Sequence, residues 1–264
     1  MKIQDLFNLK NKVAVITGAT GYLGTSISEA LAESGADVYI TSKDEKKCEK
    51  IASMLAKNSQ GEVEGLAMDI LSEKSIKNTI SEIEKKSGQI DILINNASPI
   101  PSNEDLQQVT DSEWKLGMDG TINGVFRCIK EISPIMERNN NGSIINIASM
   151  YGLVSPDPNL YKDTSNFNPP YYGPGKAAII QFTKYAACYL AKKGIRVNSV
   201  SPGPFPNPIV QQDVNFINKL EKKTPLGRIG QPYELKGVIA FLASNASSYV
   251  TGENISVDGG WTAW

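Results

Sequence analysis

Tyr172 and Lys176 stand four apart in Y-G-P-G-K, a spacing that puts both side chains on one face of a helix. Pro174 lies between them, and a proline is tolerated there only in a first turn, so the helix must open at about Tyr172. A phenol with a pKa near ~10 is a weak base at neutral pH, and a neighbouring ammonium lowers that value by favouring the phenolate. Such a pair can exchange a proton with an alcohol or carbonyl oxygen. Ser149 closes a β-rich run just upstream and adds a hydroxyl to the same chemistry. A tyrosine and a lysine at this spacing also occur on ordinary helix surfaces, so the pair has to be judged by its surroundings. The chain contains no histidine. That removes Ser-His-Asp and Cys-His catalysis and the commonest zinc sites, and no metal is expected. Acid and base work falls to Tyr, Lys, Asp, Glu or Cys.

Seven short β-rich runs have to position these groups: 12–17, 37–41, 63–68, 92–94, 143–148, 195–200 and 255–257. Segments with helical apolar spacing separate them, which predicts βαβ crossovers and a parallel sheet. V-A-V-I and D-I-L-I are apolar almost without a break, as strands covered on both faces must be. The expected architecture is a doubly wound, Rossmann-type α/β/α sandwich of about seven strands, a single domain over 1–264 with its ligand beyond the strand carboxyl ends. One compositional break, S-P-D-P-N-L-Y-K-D-T-S-N-F-N-P-P at 155–170, reads as an ordered loop, because strand and helix signals resume on both sides.

Directly after the first run comes T-G-A-T-G-Y-L-G, with helical spacing to about Ser34. Glycines at 18, 21 and 24 permit a tight turn, close approach to a pyrophosphate, and packing of helix on sheet. Gly18, Thr20, Gly21, Tyr22, Leu23 and Gly24 are therefore expected to cradle a dinucleotide at a helix N-terminus. The second run ends I-T-S-K, so the acid that would bind an NAD ribose is missing, and Ser42 and Lys43 favour the 2′-phosphate of NADP(H) over NAD(H). Lys43 could equally begin the solvated run K-D-E-K-K. Asp69, followed by Ile70, could accept from the adenine amine or cap the helix near Ser72. Asn96 and Ala97 follow the fourth run, where small residues can face the nicotinamide.

With these pieces in view, the chain resembles the short-chain dehydrogenase/reductase family along essentially its whole length. The matching residues are T-G-A-T-G-Y-L-G, Asp69, N-N-A, I-A-S ending at Ser149, Tyr172-x-x-x-Lys176, R-V-N-S-V-S-P-G and V-T-G-E-N-I-S-V-D-G-G. The resemblance implies that Ser149 hydrogen-bonds the reacting oxygen and Tyr172 passes the proton. It also implies that Lys176 binds the nicotinamide ribose and depresses the tyrosine pKa. Pro202, Gly203, Phe205 and Asn207 look like the segment beside the carboxamide, with Asn207 at the usual threonine position. Four departures stand out. The glycine loop is G-x-x-G-x-x-G, which leaves Tyr22 where a glycine is usual. Ser98 replaces the glycine of N-N-A-G. Thr121 aligns with the asparagine that supports a proton-relay water, while Asn123 lies two residues later. Ser149 and Tyr172 are 23 positions apart, wider than the family spacing, which makes 151–170 an inserted segment on the substrate side.

That insertion offers Asp157, Asn159, Tyr161, Lys162, Asp163, Asn166 and Asn168, a hydrogen-bonding set suited to a polyol or sugar. P-G-P-F-P-N-P and the tail V-D-G-G-W-T-A-W are similar to reductases of bacterial surface-glycan sugar pathways. The rival substrate is a 3-oxoacyl thioester, reduced with the same Tyr and Lys. Enoyl reduction would need a tyrosine seven before the lysine, where Pro169 stands. A non-catalytic NAD(P)-sensing protein would need none of Ser149, Tyr172 and Lys176. An extended-type sugar epimerase would share the glycine spacing but would need a larger C-terminal half.

Lys and Arg number 27 against 28 Asp and Glu, so no net field draws nucleic acid or an anionic membrane. The expected partners are a small-molecule substrate and like subunits. Ile180, Phe182, Tyr185 and Tyr189 exceed what one sheet-facing stripe requires, and tryptophans at 261 and 264 would be wet in a monomer. A homo-oligomer, a tetramer or a dimer, is expected. Cys48, Cys128 and Cys188 are scattered, with no CxxC, and the first residues carry no signal-like apolar run, so the expected setting is cytoplasmic.

Overall fold

The computed structural model describes residues 2–100, 104–161 and 168–264. β1 (Val13–Thr17), β2 (Asp37–Ser42), β3 (Val63–Ala67), β4 (Ile92–Asn95), β5 (Gly142–Ile147), β6 (Ile195–Pro202) and β7 (Asn254–Val257) match the seven expected runs, with ends shifted by one or two residues. They form one sheet in the order β3-β2-β1-β4-β5-β6-β7. Every pairing is parallel. The order reverses between β1 and β4, and in a doubly wound sheet that switch point is where a crevice opens beyond the strand ends.

Helices cover both faces. α1 (Ile3–Leu6) is a single turn, followed by α2 (Tyr22–Glu33), α3 (Glu45–Leu55), α4 (Glu73–Ser87), α5 (Asp111–Met118) and α6 (Gly124–Arg138). α7 (Pro158–Tyr161), α8 (Tyr172–Leu190), α9 (Val214–Lys223) and α10 (Lys236–Ala243) complete the set. On one face Ile27, Leu31, Cys48, Ala52, Ile239 and Leu242 meet Ala14, Ile16 and Ile40. On the other, Ile76, Ile80, Ile132, Ile179, Ala186 and Leu190 meet Val15, Leu93 and Ile144. β1 can serve both cores only because all five of its residues are buried, as its unbroken apolar run implied.

A third, smaller cluster stands above the carboxyl ends and joins Tyr151, Leu160, Phe216, Leu220 and Trp261. It corrects the expectation that both tail tryptophans would be wet. Trp261 is 3% exposed against Tyr151, edge to face, and only Trp264 is open to solvent. The segment 151–170 is likewise no plain loop, since it contains α7, whose Leu160 is buried. Lys162, Asp163 and Asn166 lie outside the described residues. No helix among the described residues is long and apolar enough to cross a membrane.

Candidate active site

A cleft of about 600 Å3 opens at the switch point, between the turn after β1 and the first turn of α8. Its nucleotide end is made largely of backbone. Gly18 has φ +61°, and a Cβ there would lie 2.7 Å from the Cα of Ala97. At Gly24 a Cβ would come within 2.4 Å of the Gly18 carbonyl oxygen. The turn is braced from β4: the Asn96 side-chain amide donates to the carbonyls of Thr17 and Gly18 at 3.1 and 2.9 Å. The Thr17 hydroxyl accepts from the backbone N–H groups of Asn96 and Ala97. α2 begins at Tyr22 with Gly21 as its N-cap, without a side-chain cap and without an acid in its first turn. Its first N–H groups thus remain available to an anion. Tyr22, at the position of the missing glycine, has its phenolic oxygen 3.3 Å from the Gln211 side-chain amide that donates to it.

Of the residues expected to hold the cofactor, Gly18, Thr20, Gly21, Tyr22, Leu23, Gly24, Ser42, Lys43, Ile70, Asn96, Ala97, Tyr172, Lys176, Pro202, Gly203, Phe205 and Asn207 all line this cleft. Asp69 does not. It stands between two lining residues, Met68 and Ile70, and does not cap a helix, since Ser72 caps α4. Its carboxylate instead accepts from the backbone N–H of Leu71 at 2.9 Å and pairs with the Lys43 ammonium at 3.3 Å. Asn207 lines the wall while its side-chain oxygen accepts from the N–H groups of Ile209 and Val210. Met68, Ser98, Pro99, Ile100, Ile147 and Ala148 also line the cleft and were missed. Most flank motif residues, so counting outward from N-N-A and from Ser149 would have found them. Ser98, which replaces the glycine of N-N-A-G, has a buried hydroxyl with no hydrogen-bond partner.

At the other end, the first turn of α8 carries Tyr172 and Lys176 on the face toward Ser149, with Pro174 in that turn as the sequence required. Tyr171 anchors the turn. Its buried ring lies so close to α5 that a Cβ on Gly117 would come within 2.3 Å of it. The Lys176 ammonium donates to the Ile147 carbonyl at 2.9 Å and sits 5.6 Å from the centroid of the Tyr172 ring. Ser149 is buried beside them and hydrogen-bonds the Tyr172 phenol. Burial pushes the Lys176 pKa down to about 8. Tyr172 differs from expectation. Burial raises its pKa, the Ser149 hydrogen bond opposes that rise, and nearby Tyr161 adds to it. In this geometry burial outweighs any help that the lysine gives to the phenolate.

Thr121 is corrected as a candidate relay residue. It lies in the π-helical turn Asp119–Asn123, its hydroxyl donates to the Gly117 carbonyl at 2.8 Å, and it does not line the cleft. Its methyl packs against Gly175 of α8, where a Cβ would stand 3.0 Å away. Asn123 is likewise taken up, by Asp119 at 3.0 Å. The described polar groups of the insertion have partners within the protein. Asp157 pairs with Lys223 at 2.8 Å and holds Asn159, while Tyr161 bonds Tyr151 at 2.6 Å and accepts from Asn168 at 2.7 Å.

The lining of the cleft fits an elongated anion. It carries two ammonium groups, Lys43 near one end and Lys176 near the other, an uncapped helix N-terminus between them, and no carboxylate among the described residues. Among those residues no group of acids and thiols could hold a metal ion.

Comparison with known proteins extends this likeness to the whole chain. A family model described as enoyl-(acyl carrier protein) reductase matches residues 18–262. Sorbose reductase SOU1 of Candida albicans is 36% identical over 262 residues, covering 98% of this chain and 90% of that protein. The 3-oxoacyl-[acyl-carrier-protein] reductase FabG of Vibrio cholerae is 33% identical over 259 residues, covering 96% and 98%. The solved structure of a gluconate 5-dehydrogenase from Burkholderia cenocepacia, in complex with NADP and tartrate, superposes with a TM-score of 0.88 at 31% identity and covers both chains fully. With likeness running end to end in sequence and in fold, the chain belongs to the short-chain dehydrogenase/reductase family and is an NAD(P)-dependent oxidoreductase of alcohols and carbonyls.

Proposed function

We propose that this protein interconverts a secondary alcohol and a carbonyl on a small, polar, sugar-like substrate, with Tyr172 as the acid and base. The observation that carries the reading is the joining of two ends in one cleft, the uncapped start of α2 and the Ser149, Tyr172 and Lys176 constellation. A bound nicotinamide supplies or accepts the hydride. Ser149 and Tyr172 both direct hydroxyls at the reacting oxygen, and Tyr172 gives it a proton in reduction and takes that proton back in oxidation. Lys176, held by the Ile147 carbonyl, keeps its remaining N–H groups for the nicotinamide ribose. Gly18 to Gly24 and α2 hold the pyrophosphate.

NADP(H) binds in preference to NAD(H), because Lys43 is the cation at the far end and no acid stands at the end of β2 to take the ribose hydroxyls. The sugar-like substrate is supported by two relatives, one named for sorbose and one for gluconate. A place among surface-glycan reductases is the narrower form of this reading and rests on the proline-rich stretch and the tail. The described parts of the insertion, 151–161 and 168–170, supply the substrate wall of a single domain. A second substrate, an oxoacyl thioester, is favoured by the FabG likeness and by a mainly apolar cavity of about 570 Å3 beside the insertion, lined by Leu153, Val154, Pro156 and Pro169.

The protein works as a homotetramer in the cytoplasm. Tyr185 and Tyr189 are 64% and 62% exposed on α8, and Tyr185 stacks on both Tyr189 and Phe182, an apolar patch of the kind that subunit contacts cover. The cysteines are free thiols. Absorbance of reduced nicotinamide, followed with ketoses, sugar acids, polyols and oxoacyl thioesters and with both cofactors, tests the reading. Turnover of polyhydroxylated compounds is expected. Turnover confined to oxoacyl thioesters would transfer the assignment to the second substrate, and a monomeric mass in light scattering would remove the tetramer.

A further inference from the structure

The parallel pairing of β2 and β3 sets Ser42 opposite Ala67, and the Met68 N–H donates to the Ser42 carbonyl at 2.8 Å. One step beyond this last rung the two strands deliver opposite charges to one place, Lys43 from β2 and Asp69 from β3, 3.3 Å apart. The partners are not equally mobile. Asp69 is pinned, since its carboxylate accepts from Leu71 N–H and its own N–H donates to the Ser75 hydroxyl at 3.0 Å. Lys43 has a long flexible stem and a largely exposed side chain. The ammonium can leave, and the carboxylate cannot follow.

From this geometry we infer that Asp69 is a specificity-determining residue that acts through Lys43, restraining the preference for the 2′-phosphorylated cofactor. The inference rests on the proposed placement of Lys43 at the 2′ end of the dinucleotide. A 2′-phosphate must either draw the ammonium away from Asp69 or approach the fixed carboxylate, and both cost free energy. A neutral 2′-hydroxyl meets neither cost. The enzyme thereby keeps NAD(H) within reach although the usual ribose-binding acid after β2 is absent.

Asp69→Asn is the direct test, because the amide oxygen still accepts from Leu71 N–H while the charge is gone. Dissociation constants for NADPH and NADH are measured by fluorescence titration, with the melting temperature as a control on the fold. NADPH affinity is expected to rise about two- to fivefold, the range for an exposed ion pair, and NADH affinity to stay level. Any general role of Asp69 in shaping the site would move both cofactors together and leave their ratio unchanged. An unchanged ratio, or one shifted toward NADH, overturns the inference. Lys43→Met separates the inference from its foundation. If that variant binds NADPH as the wild type does, Lys43 is not at the 2′ end and the inference falls with that reading. If it loses NADPH affinity while Asp69→Asn changes nothing, the inference alone fails.

Discussion

The nucleotide end and the substrate end of the cleft are built from different materials. The first is a turn of backbone between β1 and α2, braced by Thr17 of β1 and by Asn96 just after β4. The second is made of side chains: Ser149, Tyr172 and Lys176 line it, and Tyr172 packs against a buried cluster of Tyr151, Leu160, Phe216, Leu220 and Trp261, far apart in sequence and fastened at the rim by Lys223 and Asp157. Backbone set by close glycine contacts is hard to vary without losing the turn. A side-chain cluster on top of the sheet can be exchanged piece by piece. Cofactor binding and substrate recognition should therefore be separable by mutation.

The strongest break belongs to Tyr172→Phe, which removes the transferable proton and keeps the ring. Turnover should fall by about a hundredfold or more while the NADPH dissociation constant stays within error, both read on one preparation. A variant retaining half its activity would take Tyr172 out of the mechanism. Next in size is Leu160→Ala. Leu160 is buried in the small upper cluster, so about 2–3 kcal/mol of stability should be lost, with KM raised and cofactor affinity unchanged. An equal loss of cofactor affinity would erase the distinction between the two ends. Because Leu160 is packed, excising 155–168 would remove core as well as rim and would not isolate substrate binding.

Gly24→Ala attacks the other end. Its Cβ would press on the backbone carbonyl of Gly18, so about 1–3 kcal/mol of strain is expected, read as a lower melting temperature together with weaker NADPH binding at unchanged KM for substrate. The mildest effect is a slope. Lys176 has its pKa lowered in the folded protein to about 8 from the ordinary 10.5, so between those values the unfolded chain binds more protons than the folded one. Stability from this group therefore rises with pH across that window. The melting temperature of the wild type should climb relative to Lys176→Met between pH 8 and 10, and parallel curves would mean that the ammonium is better solvated than its burial implies.

What could be read from the sequence was whatever depends on neighbours along the chain. Unbroken apolar runs marked strands buried on both faces, and glycine spacing after β1 marked the turn, because φ and close approach are local demands. Four-residue spacing placed Tyr172 with Lys176, and Pro174 placed the helix start. Pairings across the fold were not legible. Asp69 reads as an adenine contact or a cap, and the β2–β3 register adds a partner, Lys43, that its place in the chain does not show. Thr121 reads as a relay residue until a π-helical turn gives its hydroxyl to Gly117. The polar residues Asp157, Tyr161 and Asn168 read as a substrate rim, and the fold gives them partners in Lys223, Tyr151 and one another, while Tyr161 and Asn168 line the cavity beside the insertion. Trp261 reads as wet, yet Tyr151 covers it. The sequence determined which groups exist and which local backbone they can adopt. Tertiary structure decided which of them remain free for a ligand, because a polar group brought against a complementary one in the fold is satisfied there before any substrate arrives.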